Sequence, residues 1–257
     1  MKTNRIKQSI FYLLWIAGLS SCVGIDNFDE PDARIEGRII DVYTGANYLS
    51  SQGGFGIRVW ERSWEFQNDN NYESLAVKQD GSYKNTKMFA GTYDMLCYGG
   101  AFWPCDTVRG VQIDAKGVVQ DFEVTPYLQV QDFTCALQAG GSTGTQLVLS
   151  CRLHAPRTEG LPGLYELKSF INTTPWCGNT YTIGINDYIN SRIEFNRSWR
   201  EEMVRAGLPE SSATSTVYTL PPLAVKSGYT YWVRVGVAVD DANRNYNYSE
   251  IVQIEIP

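Results

Sequence analysis

The chain has 257 residues, with 28 acidic against 22 basic side chains and a net charge of −6. That balance excludes the broad basic face that nucleic-acid phosphates demand, and it offers no attraction to anionic lipid head groups. With 16 Tyr, 10 Phe, 7 Trp and 23 Gly among short Val/Ile/Tyr-rich runs, the composition predicts an all-β chain of two antiparallel β-sandwich domains in tandem.

Residues 1–21 have the form of a lipoprotein signal peptide. Lys2, Arg5 and Lys7 make a positive start, Ile10 to Leu19 form an apolar run too short to span a bilayer, and Leu19-Ser20-Ser21-Cys22 is a lipobox. The small serines let a peptidase grip extended backbone, so Cys22 is the expected lipidation site. Loss of the leader's bases makes the mature chain still more acidic. Membrane contact is therefore expected to come from acyl chains on Cys22, which anchor stably when two or more are buried. Residues 22–33 are polar and acidic with neither helical nor strand period, and read as a tether.

From residue 34 the pattern turns to strands. Ile35 to Val42 is followed by the turn Tyr43-Thr44-Gly45, then by Gly56 to Glu61. Gln79-Asp80-Gly81-Ser82-Tyr83 is a β-turn leading into a strand, and Phe89-Ala90-Gly91-Thr92-Tyr93 opens another. These motifs resemble a carboxypeptidase-regulatory or prealbumin-like sandwich over 34–126. Pro126 in Thr125-Pro126-Tyr127 biases its neighbour toward extended structure and marks the boundary.

A second sandwich is expected over 127–257, with strands at Gln129 to Leu137, Gln146 to Leu153 and Gly163 to Asn172. Near its end Tyr231, Val233, Val235, Val237 and Val239 alternate and so share one buried face, while Trp232 and Arg234 point the other way. The pattern resembles the last strand pair of a fibronectin type III or immunoglobulin-like domain, in which Tyr229 or Tyr231 would form the tyrosine corner. One short helix interrupts it. Ser198 and Glu201 make a capping box, Trp199, Met203 and Ala206 follow one face, and Gly207 with Pro209 stops the helix.

Cys135 and Cys151 are symmetric about Thr143, so an odd-length hairpin loop would set them opposite each other. They are candidates for a disulfide or for two buried thiols face to face. No catalytic set emerges. The sole histidine, His154, has no Gly-x-Ser-x-Gly elbow beside it. Cys97 and Cys105 are too far apart for a zinc knuckle, and Asp69, Asn70, Asn71 and Asp80 lack calcium-loop spacing. The expectation is a protein that is not an enzyme and takes no cofactor or metal.

Sugar binding asks for less: an exposed ring to stack on the C–H face of a pyranose, with polar groups nearby. Trp64 in the polar stretch Glu65 to Tyr72, Tyr72 itself, Trp103 in Gly99-Gly100-Ala101-Phe102-Trp103-Pro104 and Trp176 after Thr174-Pro175 are the glycan-binding candidates. Trp199 is set aside because it lies on the core face of the predicted helix.

The lipobox, Phe28-Asp29-Glu30-Pro31-Asp32, Gly37-Arg38-Ile39-Ile40-Asp41, Gln79-Asp80-Gly81-Ser82-Tyr83, Phe89-Ala90-Gly91-Thr92-Tyr93, Val124-Thr125-Pro126-Tyr127 and the run from Phe170 to Gly178 together resemble the domain of unknown function 3823 (DUF3823) family. The resemblance implies a lipoprotein of Bacteroidetes, of a kind often encoded beside outer-membrane glycan importers, and carries no catalytic residues with it. Acidic residues after Cys22 loosely resemble surface-export signals, and Asp106-Thr107-Val108 resembles an O-glycosylation site of exported proteins in that phylum, with Thr107 as acceptor. The resulting expectation is a non-catalytic, lipid-anchored outer-membrane lipoprotein, facing the cell surface, that binds polysaccharide or oligosaccharide beside an importer complex. Two alternatives stand beside it: an adaptor lipoprotein whose sheet edges or faces contact the importer, and an adhesin.

Overall fold

A computed structural model describes residues 30–63, 68–140, 144–184 and 186–257. The signal peptide, Cys22 and Trp64 lie outside the described residues. Among those described, no helix is long and apolar enough to cross a membrane.

Eight strands form a first pair of sheets: β1 (Ala33–Asp41), β2 (Gly56–Glu61), β3 (Glu73–Ala76), β4 (Ser82–Met88), β5 (Gly91–Tyr98), β6 (Val108–Ile113), β7 (Val118–Val119) and β8 (Phe122–Val124). One sheet has the order β4-β1-β7 with β8 also on β1, and the other has the order β3-β2-β5-β6. Strict alternation puts Ile35 and Ile39 of β1 against Ile57 and Val59 of β2 and Tyr93, Met95 and Cys97 of β5, all in one buried cluster. The expected antiparallel pairing has one exception, because β7 and β8 run parallel to β1.

Nine strands form the second pair of sheets: β9 (Gln129–Ala139), β10 (Thr145–His154), β11 (Leu164–Asn172), β12 (Arg192–Arg197), β13 (Tyr218–Thr219), β14 (Leu223–Ala224), β15 (Thr230–Val239), β16 (Tyr246–Tyr248) and β17 (Val252–Glu255). One sheet joins β9, β10, β13 and β14, and the other has the order β12-β11-β15-β16 with β17 also on β15. The alternating valines of β15 share a core with Leu147, Leu149 and Leu153 of β10. The Lys226 backbone N–H donates to Tyr231 Oη at 3.3 Å, so Tyr231 holds the corner while Tyr229 is 51% exposed. Helix α1 (Asn186–Ile189) is a single turn. Helix α2 (Trp199–Arg205) has the capping box at Ser198 and Glu201 and buries Trp199 and Met203.

The second face of β15, on which Trp232 and Arg234 lie as read from the sequence, is buried as well. Arg234 is only 1% exposed, because Phe170, Cys177, Tyr246 and Tyr248 form a third apolar cluster with Trp232 and Leu49 on that side. Arg234 Nη2 donates across to the Ser50 carbonyl at 2.7 Å. Asn247, also buried, accepts from the Leu128 N–H at 3.1 Å and donates to Ala101 O at 2.8 Å and Tyr48 Oη at 3.1 Å. These bonds join the two sheet pairs through groups withdrawn from water, where an unmade hydrogen bond is costly.

The bridge considered between Cys135 and Cys151 does not form, since both are free thiols. The ladder pairs Cys135 with Leu149, two residues from the symmetric register, and shifts again between Ser150 and Arg152. A hairpin's register follows its turn and its buried face rather than the symmetry of one residue pair. Cys151 therefore acts as a small apolar group in the core, and half-buried Cys135 packs against it.

Candidate functional site

The outward face of the β3-β2-β5 sheet brings three aromatic rings together, of which Tyr72 is exposed. In Gly56-Ile57-Arg58-Val59-Trp60 the residues between the core positions must face out, so Arg58 and Trp60 lie side by side. Opposite them β5 presents Asp94, Leu96 and Tyr98, in register with Trp60, Arg58 and Gly56 respectively. Ser74 of β3 pairs with Arg58, and Tyr72 precedes that strand. Gly56 has a steric role here. A Cβ at that position would meet Ser74 Oγ at 2.7 Å and the Leu75 carbonyl oxygen at 3.1 Å, so a side chain there would push against β3, whose Ser74 hydroxyl pairs with Tyr98.

The Arg58 guanidinium carbon lies 4.2 Å from the Tyr98 ring centroid and 4.6 Å from that of Tyr72. The two tyrosine rings are 6.3 Å apart at 69°, and Trp60 sits 5.8 Å from Tyr72. Tyr72 is 41% exposed, whereas Trp60 is covered and donates its Nε1–H to Asp69 O at 2.8 Å. Tyr98 Oη and Ser74 Oγ are 2.9 Å apart. Beside the rings, Asp94 is held by Arg62 at 3.1 Å, Arg109 at 3.5 Å and the Gly110 N–H at 3.1 Å. Hydrogen bonding to Asp69, reinforced by Asp94, raises the Arg62 guanidinium above its ordinary value. The arrangement is a shallow platform of ring faces with hydroxyl and guanidinium groups at its margin. It can stack on one flat ligand surface and hydrogen-bond that ligand's edge.

The groove where the two sheet pairs meet is a different kind of space. It holds about 240 Å³ and is lined by Asp41, Asn47, Tyr48, Gln129, Tyr248 and Glu250 among others. Its two tyrosines are buried, which leaves no ring face to stack on, and Gln129 already donates to Asp41 at 2.6 Å.

Residues 33–125 match the family described as "Protein of unknown function (DUF3823) N-terminal domain". Over those residues the chain is similar to a DUF3823 N-terminal domain. No curated protein is similar enough to match the chain. Among solved structures, a protein of Bacteroides uniformis proposed to bind carbohydrate is 25% identical, with a TM-score of 0.68, over 88% of this chain and 100% of its own. A DUF3823 family protein from Bacteroides uniformis is 21% identical with a TM-score of 0.65, and one from Parabacteroides merdae is 16% identical with a TM-score of 0.60. Each of those two matches covers 88% of this chain and 100% of the other.

The platform lies within the matched residues, and of the described aromatic residues singled out from the sequence only Tyr72 joins it. Trp103 packs elsewhere, edge-on to Tyr127 at 5.3 Å, with the Arg157 guanidinium 4.2 Å from its ring centroid. One face of that indole is thus covered, and its Nε1 is buried without a partner. Trp176 is 44% exposed on a loop that Gln79 clamps, through Pro175 O at 2.9 Å and the Cys177 N–H at 3.2 Å. Among the described residues neither tryptophan makes a ring contact with Tyr72. Thr107 is partly exposed immediately before β6. Arg58, Trp60 and Tyr98 are the functional candidates missed by reading loops alone. The signal for the first two was the alternation in β2.

The thiols are the remaining nucleophiles. Burial pushes Cys151 and Cys177 up to about 12 and Cys105 and Cys135 to about 11, and raises Cys97 as well. Thiols, not thiolates, are therefore present at neutral pH, and only the thiolate attacks. The folded chain keeps protons that an unfolded chain loses above its ordinary value of 9.0. Stability consequently falls as pH rises from about 9 toward 12, by up to about 1.4 kcal/mol per pH unit for each buried thiol. Urea midpoints measured from pH 8 to 11 should decline above pH 9, and Cys97, Cys151 and Cys177 should resist an aromatic disulfide reagent at pH 8 until urea is added. Immediate reaction of these thiols in the folded protein would contradict this account.

Proposed function

We propose that this chain is a non-catalytic lipoprotein, anchored through Cys22 to the outer membrane and displayed at the cell surface, that binds polysaccharide or oligosaccharide on the outward face of β2, β3 and β5. The observation that carries this reading is the exposed Tyr72 ring, backed by Tyr98 and Trp60 and bordered by Arg58 and Ser74. A pyranose offers the flat C–H face such a ring takes, and its hydroxyls suit the donors around it. The similarity to a protein proposed to bind carbohydrate, over nearly the whole length of both, supports the same reading. Attachment beside an importer complex extends it to a setting in which captured glycan is passed on.

A flat platform holds one or two sugars weakly, and many copies tethered on one membrane raise avidity without new contacts. Tyr72→Ala should weaken retention of a binding polysaccharide in affinity electrophoresis about three- to tenfold, as loss of one stacking ring implies. Trp176→Ala should leave it unchanged. On whole cells given a fluorescent polysaccharide, Cys22→Ser should release the protein from the membrane fraction and abolish retention. Tyr72→Ala should lower retention with the protein still in the membrane. If no polysaccharide is retained, or Tyr72→Ala retains it as well as the native chain, the platform is not a glycan site.

A further inference from the structure

Resting on that reading, the geometry points to an acidic glycan, one bearing carboxylate or sulfate groups, as the ligand class of the platform, with Arg58 as the residue that selects it. Arg62 and Arg109, on the same face, are already engaged by Asp69 and Asp94. Arg58 is different. Among the described residues it has no ion-pair partner, its Nε is buried without a partner, and its terminal nitrogens donate no hydrogen bond. Its guanidinium instead sits in the corner formed by the Tyr72 and Tyr98 rings, 4.6 and 4.2 Å from their centroids.

That placement has a chemical consequence. Cation–π contact holds the guanidinium in place and strips part of its hydration, but the rings supply no lone pair to its terminal N–H groups, which stay available to a ligand. A guanidinium edge matches the two oxygens of a carboxylate or sulfate, and the planar fork is arranged before the ligand arrives. A neutral hydroxyl would accept one hydrogen bond and leave the charge uncompensated. The acidic character of the whole chain, net −6, does not forbid this. Charges beyond a Debye length of about 8 Å are largely screened at physiological salt, whereas a direct ion pair is not. Among the described residues the face itself carries three guanidiniums, Arg58, Arg62 and Arg109, against the carboxylates of Asp69 and Asp94.

The test compares polymers that share a backbone and differ in charge: polygalacturonate with its methyl ester, and carrageenan with its desulfated form. The native protein should prefer the charged member of at least one pair about tenfold at low salt. That preference should shrink as sodium chloride is raised, and it should fall toward unity in Arg58→Gln. Arg58→Lys should keep part of the preference, as a point charge without the fork. The responsive pair tells carboxylate from sulfate. Equal retention of charged and neutral members by the native protein, or an undiminished preference in Arg58→Gln, overturns the assignment of Arg58. In that event Tyr72-dependent retention of the neutral polymers leaves glycan binding standing, whereas retention of no polymer removes both.

Discussion

Gly37→Ala is expected to destabilise the protein by about 4 kcal/mol, which for a chain of this size lowers the melting temperature by about 10 °C. Gly37 lies in β1 on the core side, and a Cβ there would stand 2.0 Å from the Gln120 carbonyl oxygen and 3.0 Å from Tyr83 Cε1. The first of these is backbone and cannot rotate away. Gln120 sits where the parallel ladder on β1 is interrupted between β7 and β8. The register is the same on both sides of the gap, with Glu36 opposite Val119 and Ile39 opposite Phe122. The Gln120 carbonyl accepts from Tyr83 Oη at 2.6 Å, and the Gln120 N–H donates to Glu36 O at 3.0 Å. To admit one methyl group, β7 and β8 must lift off β1. The cost is then overpacking plus the strain on at least two hydrogen bonds in a half-buried site. Gly184→Ala is the control, since nothing lies within 4 Å of its Cβ and its φ is not positive. That variant should stay within about 0.5 kcal/mol of the native chain. Equal urea midpoints for the two variants would show that the ladder tolerates the displacement.

Gly37 also shows how far local pattern reaches. Its motif, Gly37-Arg38-Ile39-Ile40-Asp41, marked a strand, yet nothing near it in sequence says that Gln120 will cross above it. The same holds for the parallel strands β7 and β8, whose partner is more than 80 residues away. What could be read from short spacing was read well. The capping box at Ser198 and Glu201, the turn at Asp80-Gly81 before β4 and the alternating valines of β15 all depend on neighbours within a few residues. The Cys135–Cys151 register went astray because ladder register depends on the turn and the opposing sheet, which symmetry about Thr143 does not encode.

The candidate site was legible in part for the same reason. Tyr72 stood out as an aromatic residue in a polar stretch, and the stretch does border the platform. Arg58 and Trp60 were hidden inside a strand, where the eye follows the apolar alternation of Ile57 and Val59 and discounts the residues between. Whether the outward face of a strand meets solvent, another sheet or a ligand is decided by topology. On β2 that face is open around Tyr72, and on β15 it is buried. The two strands read alike, with arginine and tryptophan alternating against valine, and they have opposite surroundings.

Arg234 is the consequence on the buried side, and its substitution has a sign that depends on what replaces it. Arg234→Ala should cost about 3 kcal/mol, because it empties the space between Phe170, Tyr248 and Gly178 and leaves the Ser50 carbonyl without its donor. Arg234→Met should cost less than about 1 kcal/mol or stabilise slightly. The guanidinium gains a cation–π contact with Tyr248 at 3.8 Å and one hydrogen bond of 2.7 Å. Together these are worth about 3 to 4 kcal/mol. Against them stands the desolvation of a cation with no described carboxylate partner and an unbonded Nε, again several kcal/mol. Burial accordingly lowers its pKa. The two sums nearly cancel, so the stem's volume, which methionine largely supplies, decides the outcome. Urea midpoints of the three proteins test this directly. A methionine variant as damaged as the alanine one would mean that the charge itself, held between Ser50 and Tyr248, joins the two sheet pairs.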